Sequence, residues 1–139
     1  QFNVYCVNHP VQIALAEYLK DDSRYKELSS FFQQKRDLFL DAISGSRFTY
    51  TPSQATYFQL LDYSSISKEY DVDFAKRLTK EYGIASIPLS VFNENQLDFK
   101  ALRFCYAKTD ETLLKAAEIS NTHHLKLSKR SSFHCIKTC

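Results

Sequence analysis

The segment Ala101-Leu102-Arg103-Phe104-Cys105-Tyr106-Ala107 alternates with a period of two, the signature of a β-strand. One face presents Leu102, Phe104 and Tyr106, side chains suited to packing against helices. The other presents Ala101, Arg103, Cys105 and Ala107, so a single guanidinium stands among small neighbours. Small neighbours leave space above a strand, and an arginine fixed in such a space can grip a carboxylate with two parallel hydrogen bonds. The competing reading is an arginine paired with an internal acid or reaching solvent.

The 139 residues suffice for one domain with its own core, and the composition, 44% hydrophobic with eleven Phe and nine Tyr, is globular rather than disordered. No apolar run approaches the roughly 20 residues that cross a bilayer as a helix. The chain opens on Gln1, with no basic segment leading into an apolar one, so a piece of a longer protein without a recognisable signal peptide is expected. The formal charge of +2 belongs to the tail. Residues 121–139 hold Lys126, Lys129, Arg130 and Lys137 and no acid, which leaves 14 basic residues (18 less 4) against 16 acidic ones before them. A mildly acidic body gives no support to nucleic-acid binding. Cys6 and Cys105 sit in apolar surroundings and read as small buried hydrophobes, while Cys135 and Cys139 lie in the tail. Four such cysteines make no disulfide framework, and a reduced, cytoplasmic protein is expected.

Along the chain, a helix is expected from Pro10, capped by Asn8, with Val11, Ala14, Leu15, Tyr18 and Leu19 as its apolar stripe. A longer one follows Asp21-Asp22-Ser23 and runs to about Ser44, with Gly45 placed to end it. Arg47–Tyr50 reads as a short strand. Ala55–Tyr63 reads as a stronger one, apolar on both faces and so expected to be central. Asp71 opens a helix that Gly83 closes, Ile84–Ile87 is a short strand stopped by Pro88, and residues 89–100 are loop. After the Arg103 strand, Thr109 caps a last helix with Asp110 and Glu111 at its positive end. Interleaved strands and helices point to an α/β or α+β sandwich, a short mixed sheet covered by helices.

Few other arrangements carry chemistry. The two glycines form no phosphate loop. His134-Cys135, Cys139 and His123-His124 match no tight zinc spacing. His9 is the only histidine in the expected folded body and reads as a surface or capping residue rather than a partner for a nucleophilic cysteine.

Three segments remain: Pro52-Ser53-Gln54-Ala55-Thr56-Tyr57-Phe58, Ile87-Pro88-Leu89-Ser90-Val91-Phe92 and Leu102-Arg103-Phe104-Cys105-Tyr106-Ala107-Lys108. In this order and spacing they resemble the C-terminal part of fold-type I pyridoxal-phosphate aminotransferases, nearest the methionine and kynurenine aminotransferase branch. Val4-Tyr5-Cys6-Val7-Asn8-His9-Pro10-Val11-Gln12 is similar to that branch's segment after the cofactor-binding lysine, and Gln33-Gln34-Lys35-Arg36-Asp37 to its long helix. The resemblance covers about residues 1 to 119.

It implies that residues 1–20 end the large cofactor domain and that 21–120 form the small C-terminal domain; 121–139, where the apolar period stops, are expected to be a disordered tail foreign to the family, the alternative being a genuine flexible extension. It implies that Arg103 binds the substrate α-carboxylate and that Tyr5 reaches the neighbouring subunit's substrate pocket. Tyr57 and Phe58 match an aromatic pair read as core. Ala55 stands where relatives usually place Gly, which puts the turn there in question. The resemblance further implies amino-acid and 2-oxo-acid substrates, a homodimer, and pyridoxal 5'-phosphate as cofactor. The Schiff-base lysine, the pyridinium acid and the phosphate cup all lie upstream of Gln1 in the family. No catalytic, cofactor-binding or metal residue is therefore assigned within the chain, and the chain alone is expected to be inactive. Two alternatives stay open: a non-catalytic carboxylate- or amino-acid-binding regulatory module using Arg103, and an interaction domain whose basic tail contacts acidic partners.

Overall fold

The computed structural model describes residues 7–122. Tyr5, Cys6, the histidines and cysteines of the tail, and the expected tail disorder lie outside them. Two compact units result, Gln1–Phe31 and Phe32–Cys139.

The first unit carries α1 (His9–Tyr18) and α2 (Ser23–Lys26), with no buried residue in either. Pro10 occupies the first turn of α1, where its missing N–H costs nothing. Asn8 precedes α1 as expected, but its side chain makes no capping bond. The expected stripe is present in sequence yet Val11, Leu15, Tyr18 and Leu19 are all exposed. The expected long helix divides, because α2 ends at Lys26 and α3 spans Leu28–Ala42.

In the second unit, Phe39, Leu40 and Ile43 enter a core with Leu61, Phe74, Leu78, Leu102, Phe104 and Leu113. The sheet has strands β1 (Phe58–Asp62), β2 (Ile87–Pro88) and β3 (Ala101–Cys105) in the order β1-β3-β2. The α+β class stands, with two corrections. All pairings between these strands are antiparallel rather than mixed. The central strand is β3, not β1: apolar residues on both faces of β1 cannot distinguish a covered face from an uncovered one, and Leu60 remains 47% exposed. Arg47–Tyr50 contributes only one bridge, Thr49 to Asp62. Pro88 lies on the edge strand β2, where a residue without N–H is tolerated.

Helix α4 (Asp71–Arg77) continues as a π-helical turn, Leu78–Tyr82, and stops at Gly83 with φ 70°. That left-handed geometry suits glycine and satisfies the last carbonyls. Gly45 is not in this region, and α3 already ends before it, at Ala42. The final helix α5 (Asp110–Asn121) is capped as expected, the Thr109 hydroxyl accepting from the Thr112 N–H at 3.4 Å. No described helix is long and apolar enough to cross a membrane.

Candidate functional site

Register places Arg103 at the middle of the sheet. It faces Leu60 on β1 and Ile87 on β2, so the three side chains share one face, while Leu102 and Phe104 point into the core. The space expected above small neighbours is partly filled by two aromatic rings from other segments. The guanidinium carbon lies 4.2 Å from the ring centroid of Phe58 and 4.9 Å from that of Phe92. Such contacts hold a cation without satisfying any of its N–H donors. Arg103 Nε is buried with no hydrogen-bond partner, and among the described residues Arg103 forms no ion pair. Of the two competing readings, an internal acid holding this arginine is thus not what the described residues provide.

Tyr57 and Phe58 do not behave as core. Tyr57 is 45% exposed, Phe58 is half-buried against Arg103, and their centroids lie 4.4 Å apart. The turn that delivers them is fixed by residues that sequence reasoning left unassigned. Gln59 is buried; its amide donates to the Thr51 and Leu60 carbonyls, both at 2.9 Å, and its Oε1 accepts from the Ser53 N–H at 3.0 Å. Arg36 donates to the Ser53 carbonyl at 2.8 Å and pairs with Asp37. Ala55 needs no glycine, because the left-handed residue of this turn is Thr56, φ 69°. Thr56 is pinned by its own hydroxyl, which accepts from the Phe58 N–H at 3.1 Å, and by Tyr106 OH, which donates to its carbonyl at 2.5 Å.

Phe92 is delivered by a second device. The segment expected to be plain loop contains a 3₁₀ turn, Ser90–Phe92. Ser90 donates from its N–H (2.8 Å) and its hydroxyl (2.6 Å) to the carboxylate of Asp71, at the start of α4. Both residues are buried. Nearby, Asp98 pairs with Lys100 at 2.5 Å, and Tyr63 OH donates to the Glu69 carbonyl at 3.0 Å. Burial raises the Tyr63 phenol far above its ordinary value, with the Asp98 and Asp71 carboxylates adding to the effect. Burial alone would raise the Asp98 carboxyl, but bonds from the Lys100 side chain and backbone outweigh it and the net shift is downward. The sequence signal for this device was a buried acid opening a helix and a lone Ser after Pro88, neither legible without the fold.

The arrangement can present guanidinium donors beside two aromatic rings on the sheet face that carries Leu60 and Ile87. Such donors are suited to gripping an anion. Of the residues assigned from sequence, Arg103 is brought together with Phe58, whereas Tyr5 lies outside the described residues.

Comparison with known proteins places this geometry in a family. The model for aminotransferases of class I and II matches residues 2–119. The chain is 44% identical over 119 residues to methionine aminotransferase of Escherichia coli K12, an alignment covering 85% of this chain and 31% of that protein. It is 30% identical over 151 residues to kynurenine–oxoglutarate transaminase of Dictyostelium discoideum, covering 93% of this chain and 34% of that one. The crystal structure of YbdL from Escherichia coli, identified as having a methionine aminotransferase function, superposes with a TM-score of 0.79 at 43% identity, covering 87% of this chain and 32% of that one. N-succinyldiaminopimelate aminotransferase from Mycobacterium tuberculosis gives 0.74 at 26%, covering 86% and 32%. The chain spans about a third of the length of these relatives. With its family match running through nearly all the described residues, this chain belongs to the class I and II aminotransferases.

Proposed function

We propose that the chain is the C-terminal portion of an aminotransferase that moves an amino group from a methionine-, glutamine- or kynurenine-like amino acid to a 2-oxo acid, and that Arg103 holds the α-carboxylate of each in turn. The observation that carries this reading is the buried Arg103 Nε, which has no partner and stands beside two rings. A buried donor of a permanent cation is costly to leave unmade, and a carboxylate in the guanidinium plane would satisfy it with two parallel bonds. The rings fix the guanidinium before the substrate arrives, so less side-chain entropy is lost on binding. Held at its carboxylate, an amino acid presents its α-amino group in a constant orientation, which lowers the entropic part of the barrier.

The family is generally dependent on pyridoxal phosphate. In this reading no residue of the chain holds that group, and Lys35 and Lys100, engaged by Asp110 and Asp98, are not its Schiff-base lysine. In this reading the cofactor, its lysine, its phosphate cup and the pyridinium acid come from the part of the enzyme before Gln1. Residues 1–20 end the large domain and 21–120 form the small one. The enzyme is a cytoplasmic homodimer in which Tyr5 reaches the partner's pocket. The 139 residues alone do not transaminate.

The coding sequence immediately before Gln1 tests this. A continuous frame carrying a lysine in the family's context, whose product transfers the amino group of methionine, is expected. An upstream frame without that lysine, or transamination by the 139 residues alone, contradicts it.

A further inference from the structure

We propose that the buried Asp71–Ser90 contact is a positioning clamp for Arg103: it fixes the 3₁₀ turn whose last residue, Phe92, lies against the guanidinium. This deepens the carboxylate reading of Arg103 and rests on it for its catalytic consequence. The geometry is specific. Asp71 is fully buried and spends both carboxylate oxygens on Ser90, one on the N–H and one on the hydroxyl. Ser90 is itself buried, whereas Val91 and Phe92 are 56% and 60% exposed. An exposed ring on a three-residue turn has little packing of its own to hold it. The charge-assisted pair at Ser90 is the strong restraint on the turn, since bonds to an ionised acceptor are shorter and stronger than neutral ones. The turn's own backbone bonds, Phe92 N–H to Leu89 O at 3.1 Å and Asn93 N–H to Ser90 O at 3.0 Å, carry the restraint from Ser90 to Phe92. Asp71 and Ser90 touch no substrate in this account; they act through Phe92.

The test begins with the 139-residue chain labelled at arginine and phenylalanine. In the unaltered chain, cross-relaxation between the Arg103 side chain and the Phe92 ring is expected. Ser90→Ala removes the hydroxyl bond and keeps the backbone one; Asp71→Asn keeps an acceptor and loses the charge. Both are expected to weaken the ring contact and to speed solvent exchange of the Arg103 Nε proton roughly threefold to tenfold, the factor that one net hydrogen bond supplies. The signals of Leu61, Phe74 and Leu102 should stay in place. In the holoenzyme, Ser90→Ala should raise KM for methionine by a similar factor with kcat held, while Arg103→Ala raises it further.

An absent Arg103–Phe92 contact in the unaltered chain overturns the clamp whether or not either variant folds. So does an unmoved Arg103 signal in folded Ser90→Ala and Asp71→Asn. If Arg103→Ala leaves KM unchanged, the carboxylate reading fails, and the clamp is then judged on the ring contact alone.

Discussion

Gln59→Leu is the substitution whose cost the structure specifies most fully. The side chain is 1% exposed and makes three bonds, to Thr51 O, Leu60 O and Ser53 N–H. Leucine has nearly the same volume, so no large cavity opens and the effect isolates the bonds. Each contributes a net of about 1 kcal/mol, and the donors and acceptors left behind lie at a half-exposed turn where water replaces part of the loss. A destabilisation of about 2–3 kcal/mol follows, roughly a 10 °C fall in Tm for a domain of this size. The chain has no Trp, so urea unfolding is best followed by far-ultraviolet circular dichroism, with tyrosine fluorescence as a second probe. Arg36 also holds the Ser53 carbonyl, so Gln59→Leu should loosen the turn without releasing it. Gln59→Glu adds a sign test. Glu can still accept from Ser53 N–H, but when ionised it turns negative charge toward two carbonyls, so this variant should be less stable above the ordinary carboxylate range than within it. A loss below about 0.5 kcal/mol for Gln59→Leu, the scatter of ordinary surface changes, would refute the claim that Gln59 holds this turn.

Three further outcomes follow from the same coordinates. Tyr63 has a raised pKa in the folded state, so its contribution is complete below the ordinary phenol value of 10.0 and is lost as pH rises beyond it; alkaline unfolding should begin there, and Tyr63→Phe should flatten that limb of the stability profile. Asp98 has a lowered pKa, so its contribution is present above the ordinary 3.8 and is lost as pH falls through the folded value; Asp98→Asn should remove that acid-side dependence in a urea series. Gly83→Ala forces a side chain into φ 70° and should cost about 1–2 kcal/mol, whereas Gly45→Ala, whose added Cβ meets only Asn121 at 3.7 Å, should be neutral or stabilise by up to about 1 kcal/mol in calorimetry.

The parts legible in the sequence were those with local causes. The Arg103 strand announced itself by alternation, α5 by Thr109 and its two acids, and the end of the π-helical turn by Gly83. What escaped depends on contacts distant in sequence. The β1 faces look alike as residue types, yet Leu61 is buried and Leu60 is not, because only one side meets the core. Phe92 reads as an apolar loop residue, and its place beside Arg103 needs Asp71 to reach Ser90 across 19 positions. Tyr57 and Phe58 look like core aromatics; one is exposed and the other supports a cation. The departure at Ala55 looked like a threat to the turn until the left-handed position proved to be Thr56.

The direct measurement of the central claim compares kcat/KM for methionine and for methioninamide, which lacks the carboxylate, in the holoenzyme with Arg103 and with Arg103→Ala. If the guanidinium grips the carboxylate, the unaltered enzyme prefers methionine by at least about a hundredfold, as two charge-assisted bonds of about 1.5–3 kcal/mol each require, and the preference collapses toward unity in Arg103→Ala. A preference of the same size in both enzymes would place the carboxylate elsewhere and contradict the account.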